Sequence, residues 1–241
     1  MKISALKQNA FLIALFTLFL GLQACDPFGV RAKGDLQTLQ FDETDFHGLD
    51  LCVSGTAEVH VGDSYKVEIT CEETAMPYVV TEVENGILKV YFDRNVYDVD
   101  HMKIVVTAPE WDHFDVSGSG TVQVDDSISG QTLRLNVSGS GGVHIPEAHF
   151  DHADMDVSGS GDLVVAGSAE TLDCKVSGSG KIRCFDFLVD IAQVEVSGSG
   201  RIEVNVADQL NAEISGSGDI VYKGSPDVNA RVSGSGSIKK F

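Results

Sequence analysis

Basic residues are scarce in this 241-residue chain. Seventeen Lys and Arg stand against 36 Asp and Glu, a formal net charge of −19. Such a surface repels phosphate backbones and anionic head groups, so nucleic acid is excluded as a partner. Aromatic residues make up only 7 % with a single Trp, so a core must come mainly from aliphatic side chains. Apolar residues at 3.6-residue spacing are missing from the chain beyond its first 24 residues, which argues against a helical protein. The longest apolar run, Phe11 to Leu22, is too short for a confident membrane span, which takes roughly 20 residues. Also missing are a His-Glu-x-x-His helix, a Cys-x-x-Cys pair and a nucleophile elbow. No catalytic residue, cofactor or metal is expected. His149 and His152, with Asp151 and Asp154, carry nitrogen and oxygen donors, but their spacing reads as a solvated loop.

What is present begins with a targeting signal. Lys2 and Lys7 precede the apolar run, and Leu22-Gln23-Ala24-Cys25 closes it, the layout of a signal peptide over residues 1–24. The last four residues resemble a bacterial lipobox, which implies cleavage before Cys25, its lipidation, and attachment to a membrane. Without Lys2 and Lys7 the chain counts 15 basic against 36 acidic residues, net −21. Residues 25–40 mix Pro, Gly and polar residues without periodicity and read as a tether.

Residues 41–110 read as β without a repeat. Leu49, Leu51 and Val53 alternate with polar neighbours, as do Val67 and Ile69, and Glu84-Asn85-Gly86 is a turn signal between two later strands. Val53-Ser54-Gly55 looks like a degenerate copy of a motif that recurs in the C-terminal half.

From residue 111 to 241 the chain repeats itself. Ser-Gly-Ser-Gly begins at Ser117, Ser138, Ser158, Ser177, Ser197, Ser215 and Ser233, at intervals of 18 to 21 residues. Apolar residues alternate on both sides, as in Leu135/Val137 before the motif and Val143/Ile145 after it. Period-2 alternation on either side of glycines means two short strands joined by a corner. The corner glycines are Gly118 and Gly120, Gly139 and Gly141, Gly159 and Gly161, Gly178 and Gly180, Gly198 and Gly200, Gly216 and Gly218, and Gly234 and Gly236. A period near 20 residues signals units that bury their apolar faces only by stacking. The expected fold class is all-β: a single-stranded β-helix, or β-solenoid, of about 20-residue rungs, preceded by the non-repeating β segment. A third strand per rung is expected in the variable part, and stacked serine hydroxyls are expected to form columns. About four inward apolar side chains per rung, each contributing roughly 1.5–3 kcal/mol on burial, would offset much of the ordering entropy.

Repeated Val-Ser-Gly-Ser-Gly followed by alternating apolar residues, after a β-rich segment and a lipobox, resembles the auto-transporter adhesin head GIN domain family, formerly a domain of unknown function. The resemblance covers about residues 38–225 and implies a β-helical envelope protein with an adhesive role and no catalytic residues to carry over.

Ser177-Gly178-Ser179-Gly180-Lys181 invites a phosphate-binding reading, but Lys175 and Ile182 stand where a P-loop needs Gly and Ser or Thr. Stacking in register predicts a column of Asp115, Asn136, Asp156, Lys175, Glu195, Glu213 and Arg231 one residue before the apolar residue that precedes each motif. Neighbouring Glu195 and Glu213 could form an acid/base pair, the basis of a carbohydrate-active alternative. Lys181, Arg183 and Arg201, with Lys175 across the corner, form a basic patch. It reads as an ion-pair ladder with Asp162, Glu195 and Glu203, or as a binding site for acidic glycans. Cys52, Cys71, Cys174 and Cys184 allow three disulfide pairings, with buried free thiols as the alternative.

The leading expectation is a non-catalytic, lipid-anchored protein of the cell envelope, at the outer membrane, that binds a glycan or protein ligand. A periplasm-facing structural or regulatory role is the alternative. The open ends of such a stack offer strand addition, hence homo-oligomers, unless they are capped.

Overall fold

The computed structural model describes residues 29–241. The signal peptide expected over residues 1–24 and the lipidation expected at Cys25 lie outside these described residues. No helix among the described residues is long and apolar enough to cross a membrane.

The architecture is a β-solenoid of about six turns with a preceding non-repeating strand segment. In that segment β1 (Val30–Arg31), β2 (Leu36–Phe41), β3 (Gly48–Leu51), β4 (Thr56–Val61) and β5 (Lys66–Glu72) precede one 3-10 turn, Met76–Tyr78. After the turn come β6 (Val79–Glu84), β7 (Ile87–Phe92), β8 (Val96–Tyr97) and β9 (Lys103–Ala108). The repeats supply β10 (His113–Val116), β11 (Thr121–Val124), β12 (Ile128–Val137), β13 (Gly142–Gly159), β14 (Asp162–Gly178) and β15 (Lys181–Gly198). They end with β16 (Arg201–Gly216), β17 (Asp219–Gly224), β18 (Asp227–Gly234) and β19 (Ser237–Lys240).

Each repeat stacks on the previous one in parallel, motif over motif: Val157 pairs with Val176, Ser158 with Ser177 and Gly159 with Gly178. Inside one long strand the parity of the buried residues shifts. In β13 the inward residues are Val143 and Ile145, then Ala148 and Phe150, then Ala153, Met155 and Val157. Each parity shift is a corner, so the coil has three faces, and register irregularities between Ile145 and Ala148 mark one of them. This rung therefore buries seven apolar side chains rather than four. The third strand lies at Ala148–Phe150, paired with Gly167–Ala169 of the next rung, a stretch whose small residues obscure the alternation.

The glycine corners work through the backbone. The N–H of Ser179 donates to the Gly159 carbonyl at 2.8 Å, and Ser199 and Ser217 repeat the bond to Gly178 and Gly198 at the same distance. The motif serines lie on the outside, most of them exposed, so the corner ladder is a backbone ladder and not the expected serine column. The first glycine takes positive φ in five rungs, from Gly159 (142°) to Gly234 (126°), a region that disfavours side chains. The second glycine is excluded from side chains by packing. A Cβ on Gly200 would stand 2.7 Å from the Gly180 carbonyl oxygen and run into Val176.

The non-repeating segment contains rungs as well. β3 and β4 pair in parallel with β10 and β11, so Cys52-Val53-Ser54-Gly55 occupies the place of a Ser-Gly-Ser-Gly corner, as its sequence suggested. β7 and β9 stack in parallel beneath β3 and β4. This end is then capped: β6 adds antiparallel to β7, and β5 adds antiparallel to β9. Asn85 (φ 52°) and Gly86 (φ 80°) form the tight turn between β6 and β7, as a two-residue hairpin demands.

Two expectations, the tether and the histidine loop, are corrected, and the open choice for the cysteines is decided for free thiols. The tether of residues 25–40 does not extend that far, because β1 pairs with β8 and β2 pairs antiparallel with β5 over Leu36–Phe41. β2 escaped notice because its residues are almost all exposed, so backbone bonding holds it without an apolar pattern. The four described cysteines are free thiols, three of them buried. Burial pushes Cys71 up to about 11 and Cys184 up to about 12, and raises Cys174 as well; they pack as small hydrophobes. Finally, His149 and His152 lie within β13 rather than in a loop. Their rings contact Ser168 and Thr171 of the next rung at 2.9 and 2.8 Å. Among the described residues no three acidic, His or Cys side chains converge as metal ligands.

Candidate functional site: the outer face before the motifs

Residues two and four positions before each motif point away from the core, because the residues between them and the motif are buried. The ladder brings Asp50, Asp115, Asn136, Asp156, Lys175, Glu195, Glu213 and Arg231 into one continuous column. Seven of these were read from sequence; Asp50 extends the column into the non-repeating segment. A second column runs beside it, two residues earlier: His113, Arg134, Asp154, Asp173, Gln193, Asn211 and Asn229. Its period was visible in the sequence, but its members differ in charge and size, so no motif marked it.

Depressions lie along the stack on both sides of the first column, one toward the motif serines Ser117 and Ser138 and two between the columns. One of about 250 Å³ is bounded by Asp50, Asp115 and Asn136. The next, about 230 Å³, is bounded by Asp154, Asp156, Asp173, Lys175 and Glu195. A third, about 210 Å³, is bounded by Gln193, Glu195, Asn211, Glu213, Asn229 and Arg231. Each is smaller than an ordinary pocket for a drug-sized ligand, roughly 300–1,000 Å³. The second and third share Gln193 and Glu195 and together form a trough between the columns, from Asp154 to Arg231. Asn229 Nδ2 donates to the side-chain Oδ1 of Asn211 at 3.4 Å, a weak bond that leaves most amide valences free.

Charges along the two columns are partly compensated. Lys175 Nζ lies 3.4 Å from Glu195 Oε2. His113 Nε2 lies 2.8 Å from Asp115 Oδ2. That hydrogen bond outweighs burial and raises the His113 ring above its ordinary value. Burial alone would raise Asp115, but hydrogen bonds from His113 and Asn136 win and hold its carboxyl low. Burial, with Asp154 and Glu195 adding repulsion, raises Asp156 against the pull of Lys175. Glu195 and Glu213 are neighbours in the ladder, and the Lys175 cation beside Glu195 makes them part of a charged row more than an isolated pair.

The basic patch lies on the next face, after the corner. Lys181 stacks on Arg201, and Arg183 stacks on Glu203. Arg183 Nη2 meets Asp162 Oδ2 at 3.0 Å, and Arg201 Nε meets Glu203 Oε1 at 3.0 Å. Three of the four predicted cations, Lys175 included, are thus paired with the carboxylates expected of an ion-pair ladder. Exposed pairs of this kind contribute at most about 1 kcal/mol each.

A stack of Val-Ser-Gly-Ser-Gly rungs with an antiparallel cap matches the family model described as "Putative auto-transporter adhesin, head GIN domain" over residues 45–226. The chain belongs to this family. The match begins a few residues after the start of the expected span, 38–225, and so omits β1 and β2.

Solved GIN-like structures share the fold. An adhesin candidate from Bacteroides fragilis superposes with a TM-score of 0.81 at 22 % identity, covering 88 % of this chain and all of that one. One from Parabacteroides merdae gives 0.73 at 25 % identity over 88 % of this chain and 99 % of that one. A protein from Parabacteroides distasonis described as "Putative lipid binding protein" gives 0.74 at 27 % identity over 89 % of this chain and all of that one. No curated protein matches the chain.

Proposed function

We propose that this GIN domain is a non-catalytic binding module of the cell envelope, anchored at the outer membrane through lipid on Cys25 and adhesive toward a glycan or protein ligand. The observation that carries this reading is the trough. It is a long, open, polar face on a stiff scaffold, suited to an extended partner and poorly suited to enclosing a small substrate. The adhesin description of the family points the same way. Stacked parallel rungs hold these side chains on strands, so little ordering entropy is lost when a ligand docks.

Protease treatment of intact cells, followed by immunoblotting with a periplasmic control, tests the reading. The protein should be lost while the control survives. Full protection would place it facing the periplasm and end the adhesive reading.

A further inference from the structure

We propose that the trough binds a linear, uncharged polysaccharide laid along the solenoid axis, with about one sugar per rung. The inference rests on the adhesive reading above and names its ligand class.

Four observations on the same face select this occupant. First, the two depressions between the columns share Gln193 and Glu195 and run from Asp154 to Arg231, so the ligand is long and extended. Second, the lining offers carboxylates and amides in two parallel files, with Gln193, Asn211 and Asn229 on consecutive rungs. Carboxylate and amide oxygens accept from hydroxyls, and amide N–H groups donate to ring and hydroxyl oxygens, which matches a chain of vicinal diols. Third, acidic side chains outnumber basic ones in the lining: Asp154, Asp156, Asp173, Glu195 and Glu213 against Lys175 and Arg231. A polyanion would be repelled there, and this removes acidic glycans from the trough. Fourth, the files repeat at the rung spacing of about 4.8 Å, close to the advance of one pyranose in an extended chain. An extended peptide rises roughly 3.3 Å per residue, with equivalent side chains two residues apart, and falls out of register with the rungs. The period therefore disfavours a basic peptide, the other ligand that an acidic trough would attract.

Isothermal titration of the full chain with cello-, manno- and xylo-oligosaccharides, from disaccharide to octasaccharide, tests this. Heparin fragments and oligolysine serve as charged comparators. At least one neutral series should bind with affinity rising about 100-fold from disaccharide to hexasaccharide, as linked subsites fill, and with little dependence on salt. The triple variant Gln193→Leu, Asn211→Leu, Asn229→Leu should weaken that binding at least tenfold, with its melting curve checked for an intact fold. Lys181→Ala, on the neighbouring face, should leave binding unchanged. Binding independent of length, preference for heparin or oligolysine, or no binding in any neutral series would overturn the inference. So would normal adhesion by cells carrying the triple variant, an outcome that leaves the adhesive reading standing. Protection of the wild-type protein from external protease would instead overturn the adhesive reading itself.

Discussion

Two corners of one stack are built differently. Between Leu51 and Thr56 the chain turns with Cys-Val-Ser-Gly, and Val53 is buried to 3 % exposure. Later rungs turn with Ser-Gly-Ser-Gly, and wherever such a corner rests on another its glycines have no room for a side chain. The turn path is the same, since β3 and β4 align with β10 and β11 residue for residue. What differs is the neighbour underneath. The early corner rests on the longer excursion between β7 and β9, where Met102 leaves space for a valine but approaches Gly55. A repeat corner rests on another glycine corner whose carbonyls point at it. Glycine at the second motif position is therefore demanded by the rung below and not by the turn alone.

The same contrast holds for the cores. Repeats fill theirs mainly with Val, Ile, Leu and Ala. The capped end uses a cluster of Phe46, Tyr65, Trp111 and Phe114, with ring centroids 5.0 to 5.6 Å apart. There the excursion from β9 to β10 crosses the stack, and Trp111 closes it by donating Nε1–H to the His60 carbonyl at 2.9 Å. At the other end of β5, Glu72, buried at 5 % exposure, accepts from the backbone N–H groups of Asp100 and His101 at 3.2 and 3.0 Å. A polar clasp thus secures the β7–β9 excursion where a repeat would use glycines.

The largest break in this contrast is expected from Trp111→Ala. Removing a fully buried aromatic should cost about 3–5 kcal/mol, read as a lower midpoint in urea unfolding; a cost under about 1 kcal/mol would mean that the cap does not support the stack. Next is Gly139→Ala, at the same motif position as Gly118 one rung on, whose Cβ would run into the Gly118 carbonyl oxygen of the rung below. Overpacking of this kind costs about 1–3 kcal/mol. Gly118→Ala is the matched control, since it stacks on Val53 and its nearest atom would be 3.5 Å away. It should change stability by no more than about 0.5 kcal/mol, and equal losses in the two variants would refute the account of the corners.

The smallest effect concerns pH at the boundary between the two regions. His113 is raised, so its contribution to stability is complete below the ordinary histidine value and fades as pH rises through the raised one. Asp115 is lowered, so its contribution is complete above the ordinary carboxylate value and fades as pH falls through the lowered one. The pair should help most between about pH 4 and 6.5. Asp115 is 34 % exposed, so solvent screening keeps the gain under about 1 kcal/mol. Asp115→Asn should flatten the melting temperature against pH at both ends of that window; an unchanged profile would show the pair to be neutral.

The repeat was legible because stacking forces every rung to solve one packing problem, and Ser-Gly-Ser-Gly after Val or Ile is that solution written seven times. From its period alone the column from Asp115 to Arg231 could be named in order, as could the neighbours Lys181 and Arg201. The Asn-Gly turn and the alternating strands of residues 49–106 were legible too, since local parity and turn chemistry are short-range properties. Other features depend on contacts distant in sequence. β2 is held by backbone bonds to β5, which leave no trace in side-chain pattern. The thiols stay free because Cys174 and Cys184 are enclosed by the stack. The chain order of the strands does not reveal that β7 and β9 fold back beneath β3 and β4, because parallel pairing places no demand on side chains beyond parity. The trough likewise came from tertiary structure. Sequence determined which residues share a column; only the packing of the three faces decided that two columns enclose a continuous groove.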